Sequence, residues 1–359
     1  MPVVFPDVAR GAAGAREEPG DVLGRLAEAY RRIRRTTERL VEPLAVEDCV
    51  IQTMEDVSPT KWHLAHTSWF FETFVLRNFD PSYVLYHEGY PYLFNSYYVQ
   101  AGERHCRDRR GYISRPTVAE VMAYRRHVDE QMLRFMEEAA PDVAQQAAPV
   151  IELGVQHEQQ HQELIMTDIK HVLSVNPLRP VYEAFENEAG DTAPLTWVPF
   201  DAGIYEIGHA GGGFAFDNEG ARHRCFLEDF LLADRPVTNA EFMAFMEDDG
   251  YRRSEWWLSM GWAAVQERGW TEPFYWERRD GAWWTYTLGG MKPVAPDEPA
   301  AHISYFEADA YARWAGARLP TEQEWEAAAS ACSPSVEDAH FIENAPMHPR
   351  PARPRNSAG

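Results

Sequence analysis

The sequence is short of paired cysteines, of positive charge and of long apolar runs, and each shortage argues against a class of protein. Its four cysteines, Cys49, Cys106, Cys225 and Cys332, are widely separated and form no C-x-x-C pair. A disulfide framework and a zinc ribbon are therefore not expected. Lysine and arginine number 34 against 56 aspartates and glutamates, a formal charge of -22. Such a balance disfavours nucleic acid and anionic membrane surfaces as partners. No apolar run approaches the roughly 18–20 residues that span a bilayer. The opening MPVVFPDVARGAAGAREEPGD lacks the basic-then-apolar order of a secretory signal. A reduced, cytoplasmic, soluble protein is expected.

What is present is enough for two domains. The chain has 359 residues, 45% of them hydrophobic, with 12 tryptophans, which suits a packed core rather than disorder. Residues 1–19 read as a flexible lead. Asp21 then offers an N-cap, and Leu23, Leu26, Tyr30, Ile33 and Leu40 follow at helical spacing. A second helix is predicted from Ser58 as cap and Pro59 as first helical residue, with Trp62, His66, Trp69, Thr73 and Leu76 along one seam. Residues 79–116 form a long aromatic loop, a length that usually carries function.

Thr117 and Glu120 make a capping box for a third helix, with Val121, Tyr124, Val128, Met132 and Phe135 inward. A fourth helix is expected from about Pro149 to Ser174, stopped by Asn176-Pro177. Residues 20–176 thus predict a four-helix bundle with one long crossover. After a linker at 177–194 the pattern changes. Residues 195–330 show short strands, turns and short helices beginning after Thr238 and Thr321, an α+β domain. Residues 331–359, ending PMHPRPARPRNSAG, read as a disordered tail.

The chemistry centres on QHEQQHQE, residues 156–163. His157 and His161 lie one turn apart on one helical face and can reach one metal ion. At about 100° per residue from His157, His161 falls near 40°, Gln160 near −60° and Glu163 near 240°. Glu163 is then badly placed to ligate, and a third ligand must come from another helix. The second helix offers His63 and His66; its seam favours His66, and a wide buried face would admit both. A bundle without metal, its histidines hydrogen-bonded or solvated, accounts for the same spacing. Three imidazoles suit Fe(II), Zn, Ni or Cu.

Taken together, DVSPTKWHLAHTSWFFETFVL, NSYYVQAGERHCRDRRG, SRPTVAEVMAYRRHVDEQM, the H-x-x-x-H-x-E run and GARLPTEQEWEAAA closely resemble the iron-dependent sulfoxide synthases of ergothioneine biosynthesis. The resemblance covers roughly residues 20–345. It implies a fold of class α plus α+β: a DinB-like four-helix bundle followed by a C-type-lectin-like, formylglycine-generating-enzyme-like domain. The family continues past GARLPTEQEWEAAA through a G-N/D-V-W-E-W-type segment that this chain lacks, so the second domain is expected to be incomplete at its C-terminus.

The resemblance further implies Fe(II) held by His66, His157 and His161. The implied reaction joins hercynine to cysteine or γ-glutamylcysteine with O2, forming a C–S bond and a sulfoxide. Gln160 matches a hercynine-contacting position. Tyr97 and Tyr98 match an aromatic pair at the active-site edge. Arg104, Arg107 and Arg110 are candidates for a bidentate grip on the thiol's carboxylate. Competing readings are a synthase acting on histidine, a DinB-like thiol transferase using Zn or Ni, and an inactive truncated remnant. The formylglycine reaction is not expected, because its late cysteine pair is missing.

Overall fold

A computed structural model describes residues 19–98, 102–188, 190, 192–332, 339–342 and 347–352. The chain divides into two compact units at Tyr182–Glu183, with Ala210–Asp217 counted in the first. The predicted lead lies outside the described residues, except that Pro19 already opens a helix.

The first unit is a helical bundle. α1 spans Pro19–Val41, so Asp21 falls within its first turn rather than at its cap. The predicted seam residues Leu23, Leu26, Tyr30, Ile33 and Leu40 are all buried. α2 spans Thr60–Phe71 and starts one residue later than expected, with Pro59 at the N-cap. A π-helical turn, Glu72–Leu76, and a last short turn, α3 (Arg77–Phe79), extend it. Every side chain from Thr60 to Leu76 is buried, so α2 has no solvent face and no single seam. It is the central helix of the bundle. Among its described residues the predicted loop 79–116 holds α4 (Tyr90–Phe94) and a 3-10 helix, Arg107–Tyr112.

α5 spans Val118–Glu138 and opens on the expected Thr117–Glu120 capping box. Its five predicted inward residues are all buried. α6 spans Pro141–Val175, and Asn176 is its C-cap. The expected start at Pro149 is wrong, because that proline lies inside the helix. Pro141 occupies the first turn, where a missing N–H costs nothing. Ala144 and Ala147, buried in the bundle core, hold the extra turns in place against the bond that Pro149 cannot donate. Gly154 lets α6 approach α2 closely; a Cβ there would collide with the Phe71 ring.

An ionic network is buried within this bundle. Glu158 of α6 accepts from Arg125 Nη2 at 2.5 Å, Thr37 Oγ1 at 2.7 Å and Arg34 Nη1 at 3.0 Å. Arg34 also donates to Asp129 at 2.6 Å and to Ser68 at 2.9 Å. Burial by itself would raise the Glu158 carboxyl, but the two guanidiniums hold it down at about 2.

The second unit carries two two-stranded antiparallel sheets. β1 (Trp197–Phe200) pairs with β4 (Phe230–Ala233), and β2 (Gly203–Ile207) with β3 (His223–Leu227). A three-stranded antiparallel meander follows, β5 (Trp276–Arg279), β6 (Ala282–Thr287) and β7 (Gly290–Pro293). Its helices are α7 (Asn239–Glu247), α8 (Ser259–Arg268), α9 (Tyr305–Trp314) and α10 (Glu322–Cys332). Thr238 and Ser304 begin α7 and α9 with full capping boxes. Phe242, Phe245, Tyr251, Trp257, Val265 and Ala310 form the core among the helices.

Thr321 caps α10 as expected, accepting from the Glu324 N–H at 3.2 Å. Arg318 grips the buried Glu324 carboxylate with both nitrogens, at 2.6 and 2.7 Å. Those bonds outweigh burial and hold the carboxyl at about 2. A depressed carboxyl stabilises the fold above its unfolded pKa, and the gain is lost as pH falls through the folded value. Arg318→Met should therefore destabilise this unit by about 1 kcal/mol near neutral pH, the grip being discounted for its exposed arginine. The difference in melting temperature from wild type should shrink towards zero as pH falls from about 4.5 to about 2. A difference that stays constant across that range would show that this grip is not what holds Glu324.

The tail reading needs amending. α10 runs to Cys332, and His348 Nε2 donates to Glu298 Oε2 at 2.9 Å while its ring lies 5.1 Å from that of Phe185. Residues 347–352 are half-buried rather than loose. Much of the rest of 331–359 lies outside the described residues. All four cysteines are free thiols. Among the described residues no helix is long and apolar enough to cross a membrane.

Candidate metal centre

The centre forms where α6 passes α2. His157 and His161, one turn apart on α6, meet His66 of α2 through their Nε2 atoms. His157 Nε2 stands 3.1 Å from His161 Nε2 and 3.3 Å from His66 Nε2. One nitrogen from each ring lies within 4.8 Å of the others, the one such His, Cys, Asp or Glu cluster found among the described residues. Nitrogens about 2.0–2.1 Å from a shared ion sit roughly 3.0 Å apart in an octahedron and 3.4 Å apart in a tetrahedron. Both spacings from His157 fall in that interval.

The protonation states suit a cation. Burial lowers the pKa of His66 and His161 well below the ordinary value, and neighbouring imidazoles push both further down. Burial takes His157 to about 4. All three are neutral near pH 7, so each can offer a lone pair. His66 Nδ1 lies 2.5 Å from the Phe94 carbonyl oxygen and must donate to it. That fixes the His66 lone pair on Nε2, inside the cluster. His157 Nδ1 is buried with no hydrogen-bond partner. The residues present therefore fit a divalent ion held by three imidazoles.

Aromatic rings fix the walls. His66 is stacked between Trp62 (4.6 Å between centroids, 12°) and Trp69 (5.3 Å, 20°). Tyr98 packs on Trp69, Phe70 and Phe74, its ring 6.3 Å from that of His157. Burial raises its phenol to about 12, so it keeps its proton at neutral pH. Tyr97 is 64% exposed. Arg107 donates to its hydroxyl at 2.9 Å and also to the Asp56 carbonyl; the Arg104 guanidinium lies 5.2 Å above its ring.

The three arginines are not one fork. Arg104 and Arg107 are exposed beside Tyr97, whereas Arg110 is buried. Its guanidinium lies 3.3 Å above the Trp62 ring and donates to Ser58 Oγ at 2.9 Å and Ser96 Oγ at 3.3 Å. Burial, aided by Arg107, lowers its pKa to about 10. Gln160, next in sequence to His161, is exposed on α6, and so is Glu163.

His63, the alternative to His66, is equally buried but turned elsewhere. Its Nδ1 faces His161 Nδ1 at 2.8 Å and its Nε2 faces Asp168 Oδ2 at 3.0 Å. Asp168 is a participant that sequence reasoning missed. Its signal was present: seven residues after His161 is nearly two whole turns, hence the same helical face.

Comparison with known proteins places both halves. Residues 29–165 match the DinB superfamily, and residues 183–356 match the sulfatase-modifying factor enzyme 1-like domain. A hercynine oxygenase of Mycolicibacterium thermoresistibile is 32% identical over 310 residues, covering 84% of this chain and 66% of that protein. One from Mycobacterium tuberculosis is 32% identical over 305 residues, 84% of this chain and 69% of that protein. The second half alone matches a formylglycine-generating enzyme of Streptomyces coelicolor, 34% identical over 146 residues, 37% of this chain and 46% of that protein. The chain spans about two thirds of the length of the first two relatives.

Proposed function

Because this chain belongs to the hercynine oxygenase family, we propose that it catalyses the O2-dependent joining of hercynine to a cysteine-type thiol, with Fe(II) held by His66, His157 and His161. The observation that carries the reading is the convergence of three neutral imidazole Nε2 atoms in a buried aromatic setting. When bound, Fe(II) supplies one-electron chemistry towards O2 and has coordination positions left over beyond three imidazoles. The reaction balances without an external reductant. A C–H and an S–H bond are replaced by a C–S bond, one oxygen atom goes to sulfur, and the other leaves as water with the two hydrogens.

The protein's own part is orientation and proton supply. Trp62 and Trp69 clamp His66, and Phe94 fixes its tautomer. Tyr98, whose ring lies 6.3 Å from that of His157 and whose phenol keeps its proton, is the proposed donor of a proton to developing charge on oxygen. Tyr97 stands at the rim with Arg104 and Arg107, whose exposed cations take the thiol substrate's carboxylate. Gln160, exposed on α6 next to His161, is assigned to hercynine because it matches the hercynine-contacting position of the family that the chain resembles.

Mass spectrometry of products tests the reading: the Fe(II)-loaded chain is incubated with hercynine, O2 and either cysteine or γ-glutamylcysteine. A sulfoxide adduct is expected, and the thiol that yields it identifies the substrate. No adduct, either from this chain or from one extended with a relative's C-terminal segment, would overturn the proposal. Arg107→Ala should raise the thiol's KM about tenfold, the size of one lost charge-assisted hydrogen bond, with iron content unchanged. An unaltered KM would remove Arg107 from the site.

A further inference from the structure

The fourth histidine has a position that the three-imidazole site does not explain. His63 is buried on α2, and Asp168 lies on α6 about two turns beyond His161. Asp168 Oδ2 accepts from the Ser58 backbone N–H at 2.8 Å and faces His63 Nε2 at 3.0 Å. An ionised carboxylate can only accept, so His63 carries its proton on Nε2. In the neutral ring, Nδ1 is then a bare acceptor. The 2.8 Å contact between His63 Nδ1 and His161 Nδ1 therefore needs the His161 proton on Nδ1. His161 Nε2 is left as a lone pair pointing into the cluster.

We propose that Asp168 and His63 are positioning residues for the metal: a carboxylate–imidazole relay that sets the tautomer and ring orientation of His161. The proposal rests on the reading of His66, His157 and His161 as metal ligands. It gives His161 the anchoring that the Phe94 carbonyl gives His66. Such outer partners raise ligand basicity and typically contribute 10- to 100-fold to metal affinity. Ser58 links the relay to the wall of the site, since it donates its N–H to Asp168 and accepts Arg110 at its Oγ.

The test is Co(II) and Fe(II) affinity, measured anaerobically by competition with a chromophoric chelator, together with the Co(II) absorption spectrum and the melting temperature of the metal-free protein. Asp168→Ala and His63→Leu should bind about 10- to 100-fold more weakly than wild type, with an altered Co(II) spectrum. His63→Gln, whose amide oxygen can still accept from His161 Nδ1, should keep most of the affinity that His63→Leu loses. Wild-type affinity and spectrum in Asp168→Ala would overturn the relay, and that variant serves even if His63→Leu fails to fold. A wild-type chain that binds neither ion would overturn the three-histidine site itself.

Discussion

His161→Ala should leave the protein folded and empty of metal. The variant removes one of three converging nitrogens and also the ring through which His63 acts on the site. The loss should exceed the roughly 10- to 100-fold that an outer partner contributes. Bound metal should fall from about one equivalent to a small fraction at micromolar concentrations, and sulfoxide formation to background. His66→Ala and His157→Ala should behave alike, because one ring nitrogen of each histidine lies within 4.8 Å of the other two. Metal analysis after dialysis, with circular dichroism to confirm the bundle, reads the result. One tightly bound equivalent in His161→Ala would place the ion elsewhere.

The second large effect belongs to stability. Glu158→Ala leaves the Arg34 and Arg125 guanidiniums buried, with their shared carboxylate gone. Breaking a buried ion pair from one side costs about 3–5 kcal/mol, here towards the lower end, because Asp129 still pairs Arg34 and Glu38 stands 3.5 Å from Arg125. For a unit of this size that corresponds to a drop in melting temperature of about 6–20 °C. Much of the cost should be recovered by combining Arg34→Met with Arg125→Leu and Glu158→Leu, since apolar groups of similar volume need no partner and the carboxylates then left unpaired, Asp129 and Glu38, are partly exposed. Thermal melts of the single and triple variants separate the cases. A triple variant as unstable as Glu158→Ala would mean that the network contributes more than mutual neutralisation. Because Glu158 follows His157 on α6, the network also fixes the helix that presents two of the three imidazoles.

The helices were legible where local rules act alone. The seam of α1 and the inward face of α5 follow from 3.6-residue periodicity, and the starts of α5, α7 and α10 follow from hydroxyl caps. Pro149 misled because a proline reads as a boundary locally, while tertiary packing of Ala144 and Ala147 overrides the lost bond. The β5–β7 meander went unread, its strands being four to six residues long and the Trp283-Trp284 pair of β6 breaking the alternation of apolar and polar residues. The buried Arg34–Glu158–Arg125 network was also unread, since helical arginines and glutamates normally mark solvent.

By itself the sequence determined a two-part chain, the helix that carries His157 and His161 on one face, and a second helix bearing His63 and His66. Those follow from spacing, which is a property of one helix. The tertiary structure decided which imidazoles meet and through which nitrogens. It turned His66 Nε2 into the cluster and His63 towards Asp168, and it divided three neighbouring arginines between the rim and the interior. Such choices depend on the closest approach of two helices and on the partners of each ring. Those partners, Phe94 and Asp168, lie 28 and 105 residues from the histidines they orient.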